Sequence, residues 1–161
     1  MRILDVTANN RNRTFEVRTR QGTYAFPYAK LDIEPGRENP IRDVFPDPEA
    51  GCEAFTCILE SGEEDSVHLD AVLEYNRDPR FMTGLLLYNL TIEVHKAMEE
   101  SKLRKRELIR RLGTSPSQFY RLLDQTCYGK SVGQMVALLH LLDREVEFVV
   151  KASQLREGRQ A

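Results

Sequence analysis

The hydrophobic period of this 161-residue chain changes near Asp78, and that change demands two different kinds of packing. Before it, apolar residues recur at every second position, as on one face of a strand. After it, they recur every three to four, as on one face of a helix. A sheet unit followed by a helical unit, an α+β arrangement, is the fold class implied. We expect residues 1–77 to form a small antiparallel β domain, 78–152 a helical domain, and 153–161 a disordered polar tail.

Within the first part, Leu4, Val6 and Ala8 alternate with polar neighbours until Asn9-Asn10-Arg11-Asn12 breaks the run. Phe15 and Val17 alternate with Glu16 and Arg18, and Gln21-Gly22 supplies a turn in which Gly tolerates positive φ. The returning strand places Tyr24, Phe26 and Tyr28 on one face, and Pro27 marks an edge or an end. Residues 32–51 hold four prolines and two glycines and read as loop. A second hairpin runs from Ala54 to Glu60, turns at Ser61-Gly62-Glu63-Glu64 and returns over Ser66 to Leu69.

Downstream, Asp78 is placed to cap a helix that Pro79 opens. At about 100° per residue, Phe81, Leu85, Tyr88 and Ile92 form one apolar stripe; Leu86, Leu87, Leu90, Val94, Ala97 and Met98 form another, nearly opposite. Two stripes predict two covered surfaces, one on the helical module and one on the sheet or a second subunit. Three shorter helices follow, over 105–112, over 116–124, and after a capping Ser131. Val146, Phe148 and Val150 then alternate with Glu147 and Val149, which predicts a strand.

Charge divides along the same line. Residues 1–94 carry 10 Lys/Arg against 17 Asp/Glu, whereas residues 95–161 carry 13 against 8. An acidic module joined to a basic one points to an anionic partner for the second half. The excess is densest in RKRELIRRLGTSPSQFYRLLDQ, residues 104–125, with six Lys or Arg in 22 residues. Two short helices across a tight turn containing Gly form a unit whose second helix enters the DNA major groove. Here Gly113 would end the first helix, Ser115 cap the second and Pro116 begin it. Phe119, Leu122 and Leu123 would point inward, leaving Ser117, Tyr120, Arg121 and Asp124 outside.

The stretch LRKRELIRRLGTSPSQFYRLL, residues 103–123, resembles the helix-turn-helix of the phage-repressor-like, or xenobiotic-response-element, family. Leu103, Leu108, Leu112, Gly113, Ser115, Phe119, Arg121 and Leu122 match that pattern in type and place. The resemblance implies a sequence-specific DNA-binding regulator acting as a homodimer. It implies that Lys105 and Ser115 grip phosphates while Pro116, Ser117 and Arg121 face bases, with Arg104, Gln118 and Tyr120 beside them. Lys130, in the loop beyond, reads as a further phosphate contact. Two positions depart from the pattern: Arg104 stands where a capping Ser or Thr is usual, and Lys105 where Gln is usual. Both exchange an orienting hydrogen bond for positive charge. The acidic sheet resembles, more faintly, a small bacterial domain that precedes such modules. An antitoxin-like reading, in which the acidic part neutralises a protein partner, is the alternative.

Other chemistries find less support. Cys52, Cys57 and Cys127 lack metal-ligand spacing, and no cofactor motif is present. Cys57, His68 and Asp70 would form a nucleophile constellation only if His68 and Asp70 shared one face of a strand; ordinary strand hydrogen bonding is the stronger reading of His68. The carboxylates Glu60, Glu63, Glu64 and Asp65 read as solvated turn charge. No catalytic or metal residue is expected. No apolar run approaches a membrane span, and the first residues lack a signal-peptide core, so a cytoplasmic protein is expected.

Overall fold

The computed structural model describes residues 1–152, and the expected tail at 153–161 lies outside them. Over the described residues the chain is a mixed α and β protein with two three-stranded antiparallel sheets and five α-helices. It divides into two compact units, Met1–Thr83 and a second from Gly84 onward.

In the first unit, strands β1 (Ile3–Asn9), β2 (Thr14–Thr19) and β3 (Thr23–Pro27) form one meander, and β4 (Ile41–Pro46), β5 (Ala54–Leu59) and β6 (Glu64–His68) form the other. Strand β4 was expected as loop. Its two prolines mislead: Pro40 precedes the strand and Pro46 closes it, so neither removes an interior ladder bond. Helix α1 (Leu69–Tyr75) follows β6.

The two meanders repeat one another. Ile3-Leu4-Asp5-Val6 and Ile41-Arg42-Asp43-Val44 each carry an irregularity between the Ile and the Asp. Such a bulge inserts one extra residue and breaks strict alternation. Ile3 and Val6, three apart, are therefore both buried, and Leu4, expected inside, is 49% exposed. Phe15 and Phe55 occupy the second position of β2 and β5, pairing with Phe26 and Val67. Arg13 O accepts the amide of Tyr28 just beyond β3, and Glu53 O accepts that of Leu69 just beyond β6, at 2.9 and 2.8 Å. The inner faces of both sheets share one core in which Phe15 meets Tyr28 at 4.7 Å and Phe55 at 4.9 Å between ring centroids. Tilted contacts of this kind add about 0.5–1.5 kcal/mol each beyond burial.

The unit boundary falls inside a helix rather than before it. α2 (Pro79–Glu100) starts where Asp78 Oδ1 accepts the amides of Arg80 and Phe81 at 3.1 and 3.0 Å. Phe81, in its first turn, packs on the sheet core. Beyond Thr83, Leu87, Leu90, Val94 and Ala97 line the core of the second unit, whereas Tyr88 of the other stripe is exposed; Leu86, expected with the inward stripe, lies at its edge and is exposed too.

The second unit continues with α3 (Lys105–Leu112), α4 (Pro116–Leu123) and α5 (Val132–Leu141). Leu108, Phe119, Leu122, Met135 and Leu138 are fully buried around the apolar stripe of α2. Residues 146–150 do not form the expected strand. Val146 packs on the core, but the segment has no ladder partner among the described residues, and Phe148, Val149 and Val150 are exposed. Alternation marks a segment able to enter a sheet; without a neighbour to receive its N–H and C=O groups it stays outside one.

Candidate nucleic-acid interface

The basic segment folds as two short helices across a three-residue turn. Gly113 ends α3 in the left-handed region at φ 68°, its amide returning to Ile109 and Arg110. The Ser115 side chain caps α4 by accepting the Gln118 amide at 3.2 Å, and Pro116 occupies the first turn, where its missing N–H costs nothing. Arg104 precedes α3 with no side-chain cap, consistent with the loss anticipated for that position.

Phe119 and Leu122 fix the rotation of α4 by entering the core, which turns Ser117, Tyr120 and Arg121 outward. Ser117 Oγ lies 3.2 Å from Ser115 Oγ, so the two hydroxyls share one hydrogen bond above the helix N-terminus. That end carries partial positive charge and unpaired amides, which favours an anion. Lys105 reaches across from α3, with its ammonium 5.6 Å from the centre of the exposed Tyr120 ring. The Tyr120 ring also meets Phe119 edge-on at 5.9 Å. Arg121 is exposed, and its guanidinium comes within 4.0 Å of where a β-carbon on Gly129 would stand. Arg104, Lys105, Ser115, Pro116, Ser117, Tyr120 and Arg121 are thus all solvent-facing, while Gln118 is half-buried.

Lys130 corrects the sequence reading. Only 9% exposed, its ammonium donates to Thr91 Oγ1 at 2.6 Å and to Leu122 O at 2.9 Å. It is spent inside the unit instead of facing solvent for a phosphate. Burial pushes its pKa below the usual lysine value, opposed by the nearby Cys127 and Asp124. His95 Nε2–H donates to Leu123 O at 2.8 Å. Two α2-proximal donors therefore satisfy the last carbonyls of α4, the end of a helix that favours positive charge. One sign of this was legible: Thr91 lies on the same face as Leu87, Leu90 and Val94, and a polar residue at a core position requires a polar partner. Nothing in sequence spacing identified Lys130 as that partner.

The density of charge also misleads. Glu107 accepts two bonds from Arg110, at 3.1 and 2.6 Å, and one from Arg111 at 2.8 Å. These bonds hold its carboxyl down at about 2. Of the six cations in 104–125, Arg110 and Arg111 are thus partly neutralised. Arg104, Lys105, Arg106 and Arg121 have no carboxylate within 4.0 Å among the described residues.

In the sheet unit, His68 Nδ1 lies 3.7 Å from Asp70 Oδ2, but Cys57 is not brought to the pair. Cys57 pairs with Asp65, and His68 with Ala54 three positions away. Leu69–Tyr75 is helix, and His68 Nδ1 accepts the Asp70 amide at 3.3 Å as its N-cap. Among the described residues no cluster of three or more His, Cys, Asp or Glu is arranged to hold a metal, and no helix is long and apolar enough to cross a membrane. No protein-family model matches the chain, and neither a curated protein nor a solved structure does at a significant level.

Proposed function

We propose that the protein is a sequence-specific DNA-binding transcriptional regulator that inserts α4 into the major groove. The observation that carries the reading is the rotation of α4: Phe119 and Leu122 inside, Ser117 and Arg121 outside, and a capped, anion-favouring N-terminus between them. Arg121 reads a guanine through its two acceptors. Lys105 and Ser115 hold the flanking phosphates, and Arg104 adds charge without orientation. Selection of bound fragments from a random duplex pool should return a short palindromic motif. Arg121→Ala should then weaken operator binding by about 1–3 kcal/mol in gel-shift titration, with little effect on random duplex. An unchanged operator affinity would remove α4 from the role assigned to it.

A two-fold dimer belongs to this reading, because one recognition helix spans only a few base pairs. The segment 146–150 supports it: an alternating run with Phe148, Val149 and Val150 exposed and no strand partner among the described residues. Pairing with its own copy would complete the ladder. Phe148→Pro removes an N–H from that ladder, so light scattering should report a shift from dimer to monomer, with operator affinity falling and nonspecific binding retained. A variant that stays dimeric would move the interface to the stripe containing Leu85, Tyr88 and Ile92.

A further inference from the structure

We propose that the cleft between the β1–β2 turn and the 35–41 segment binds a small organic phosphate. The cleft holds about 420 Å³ and is lined by Arg11, Arg13 and Arg37, with no carboxylate on its walls. The unit around it is acidic: residues 1–83 carry 10 Lys/Arg against 16 Asp/Glu. Placing three of those ten cations on one cleft reverses the local sign. None of the three has a carboxylate within 4.0 Å among the described residues.

Arg13 is held, not merely near, while Arg11 and Arg37 are exposed at the rim. Arg13 sits at φ 53°, a region costly for a residue with a side chain. Its guanidinium donates to Pro35 O at 2.8 Å, spanning the mouth from turn to loop and leaving further N–H donors unused. Beneath it, the buried Tyr28 hydroxyl donates to Asn10 Oδ1 at 3.0 Å. Guanidinium forks match the oxygens of a phosphate in pairs. Inorganic phosphate alone would leave most of 420 Å³ unfilled, and Pro40 and Ile41 offer apolar wall to the remainder of a larger ligand.

The repeated meander supplies an internal control. At the equivalent place, between the β4–β5 turn, the start of β1 and the chain beyond β6, lies a second cleft of about 290 Å³. Its walls carry Glu53, Asp70 and Asp78 instead, with Arg80 as their one Lys or Arg. The same backbone thus accepts either sign, so the fold does not demand arginines at the first cleft and leaves them free to serve a ligand.

Calorimetric titration of the full chain at low salt with adenosine 5′-monophosphate, ribose 5-phosphate and inorganic phosphate tests this. Both organic phosphates should bind with submillimolar affinity and more tightly than inorganic phosphate. Arg11→Gln and Arg37→Gln should each weaken binding about ten-fold, the loss of one charged hydrogen bond. Arg18→Gln, in the same unit but paired with Asp5 at 3.6 Å, should leave it unchanged. Thermal melts of the exposed-residue variants should match the parent. The proposal is overturned if neither organic phosphate binds at millimolar concentration, if inorganic phosphate binds equally well, or if Arg18→Gln weakens binding as much as Arg37→Gln. It is also overturned if the arginine variants lose affinity for duplex DNA while the parent ignores all three small molecules, which would assign these cations to nucleic acid.

Discussion

The two meanders of the sheet unit share a backbone and differ in charge. Both begin with Ile-x-Asp-Val and a bulge, and both bury a Phe at the second position of the middle strand. Both bond a carbonyl before that strand to the amide just after its partner. Yet the residue supplying that carbonyl is Arg13 in one and Glu53 in the other, and the turns they close are basic and acidic respectively. Where the halves agree, the agreement is about packing and backbone bonds, which the fold needs twice. Where they disagree in charge, the residues face solvent or a cleft, and the fold leaves them free for binding.

The largest test of that division is in the core. Phe15 and Phe55 are both fully buried and touch each other, so truncating either leaves a void walled by the same neighbours. Phe15→Ala and Phe55→Ala should each destabilise the sheet unit by about 3–5 kcal/mol in urea unfolding followed by circular dichroism. The equivalence of the two positions fails if their costs differ widely. The double variant should cost less than the sum, because the two removals share one cavity.

The turns should behave oppositely. Arg13 bonds Pro35 O at 2.8 Å, whereas among the described residues the side chain of Glu53 has only the Met1 amino group at 3.8 Å. Arg13→Ala should cost about 1 kcal/mol, a charged hydrogen bond discounted for its exposure. Glu53→Ala should stay within about 0.5 kcal/mol of the parent. Equal costs in the same unfolding assay would mean that the backbone, common to both turns, sets the energetics there.

Much of this architecture was legible in the residues. The change of period at Asp78, the Asp78 cap, Gly113 and Ser115 all do in the structure what their chemistry dictates, because each acts on backbone within a few positions of itself. The repeat was missed because its two Ile-x-Asp-Val segments differ in the loops that follow, and β4 was hidden among prolines. The burial of Leu4 was misjudged because a bulge changes strand period locally, and only the partner strand reveals it. Lys130 shows the same limit in the candidate interface. Its role depends on Thr91, 39 positions earlier, and its sequence neighbourhood describes only an exposed loop. Ser115, Ser117, Tyr120 and Arg121 were legible because the inward face of α4 could be read from periodicity alone.

The smallest effect separates Cys57 from its counterpart Val17, the residues two positions beyond Phe55 and Phe15. Both are fully buried in one core, so at neutral pH the two side chains serve the same purpose. They differ in that a thiol ionises. Burial, with some help from Asp65, pushes the Cys57 thiol up to about 11 from a usual value of 9.0. The folded state therefore holds its proton more tightly than the unfolded state does. Its contribution to stability is complete below the unfolded value and declines as pH rises from about 9 through about 11, where the unfolded chain sheds the proton first. Cys57→Val swaps in the side chain that the other meander already uses, at nearly the same volume, and should change neutral stability by less than about 1.5 kcal/mol. Urea midpoints measured between pH 7 and 11 should fall less steeply for the variant than for the parent. Parallel curves would mean that the thiol does not titrate with unfolding. A large loss already at pH 7 would mean that position 57 needs sulfur for a reason its counterpart does not share.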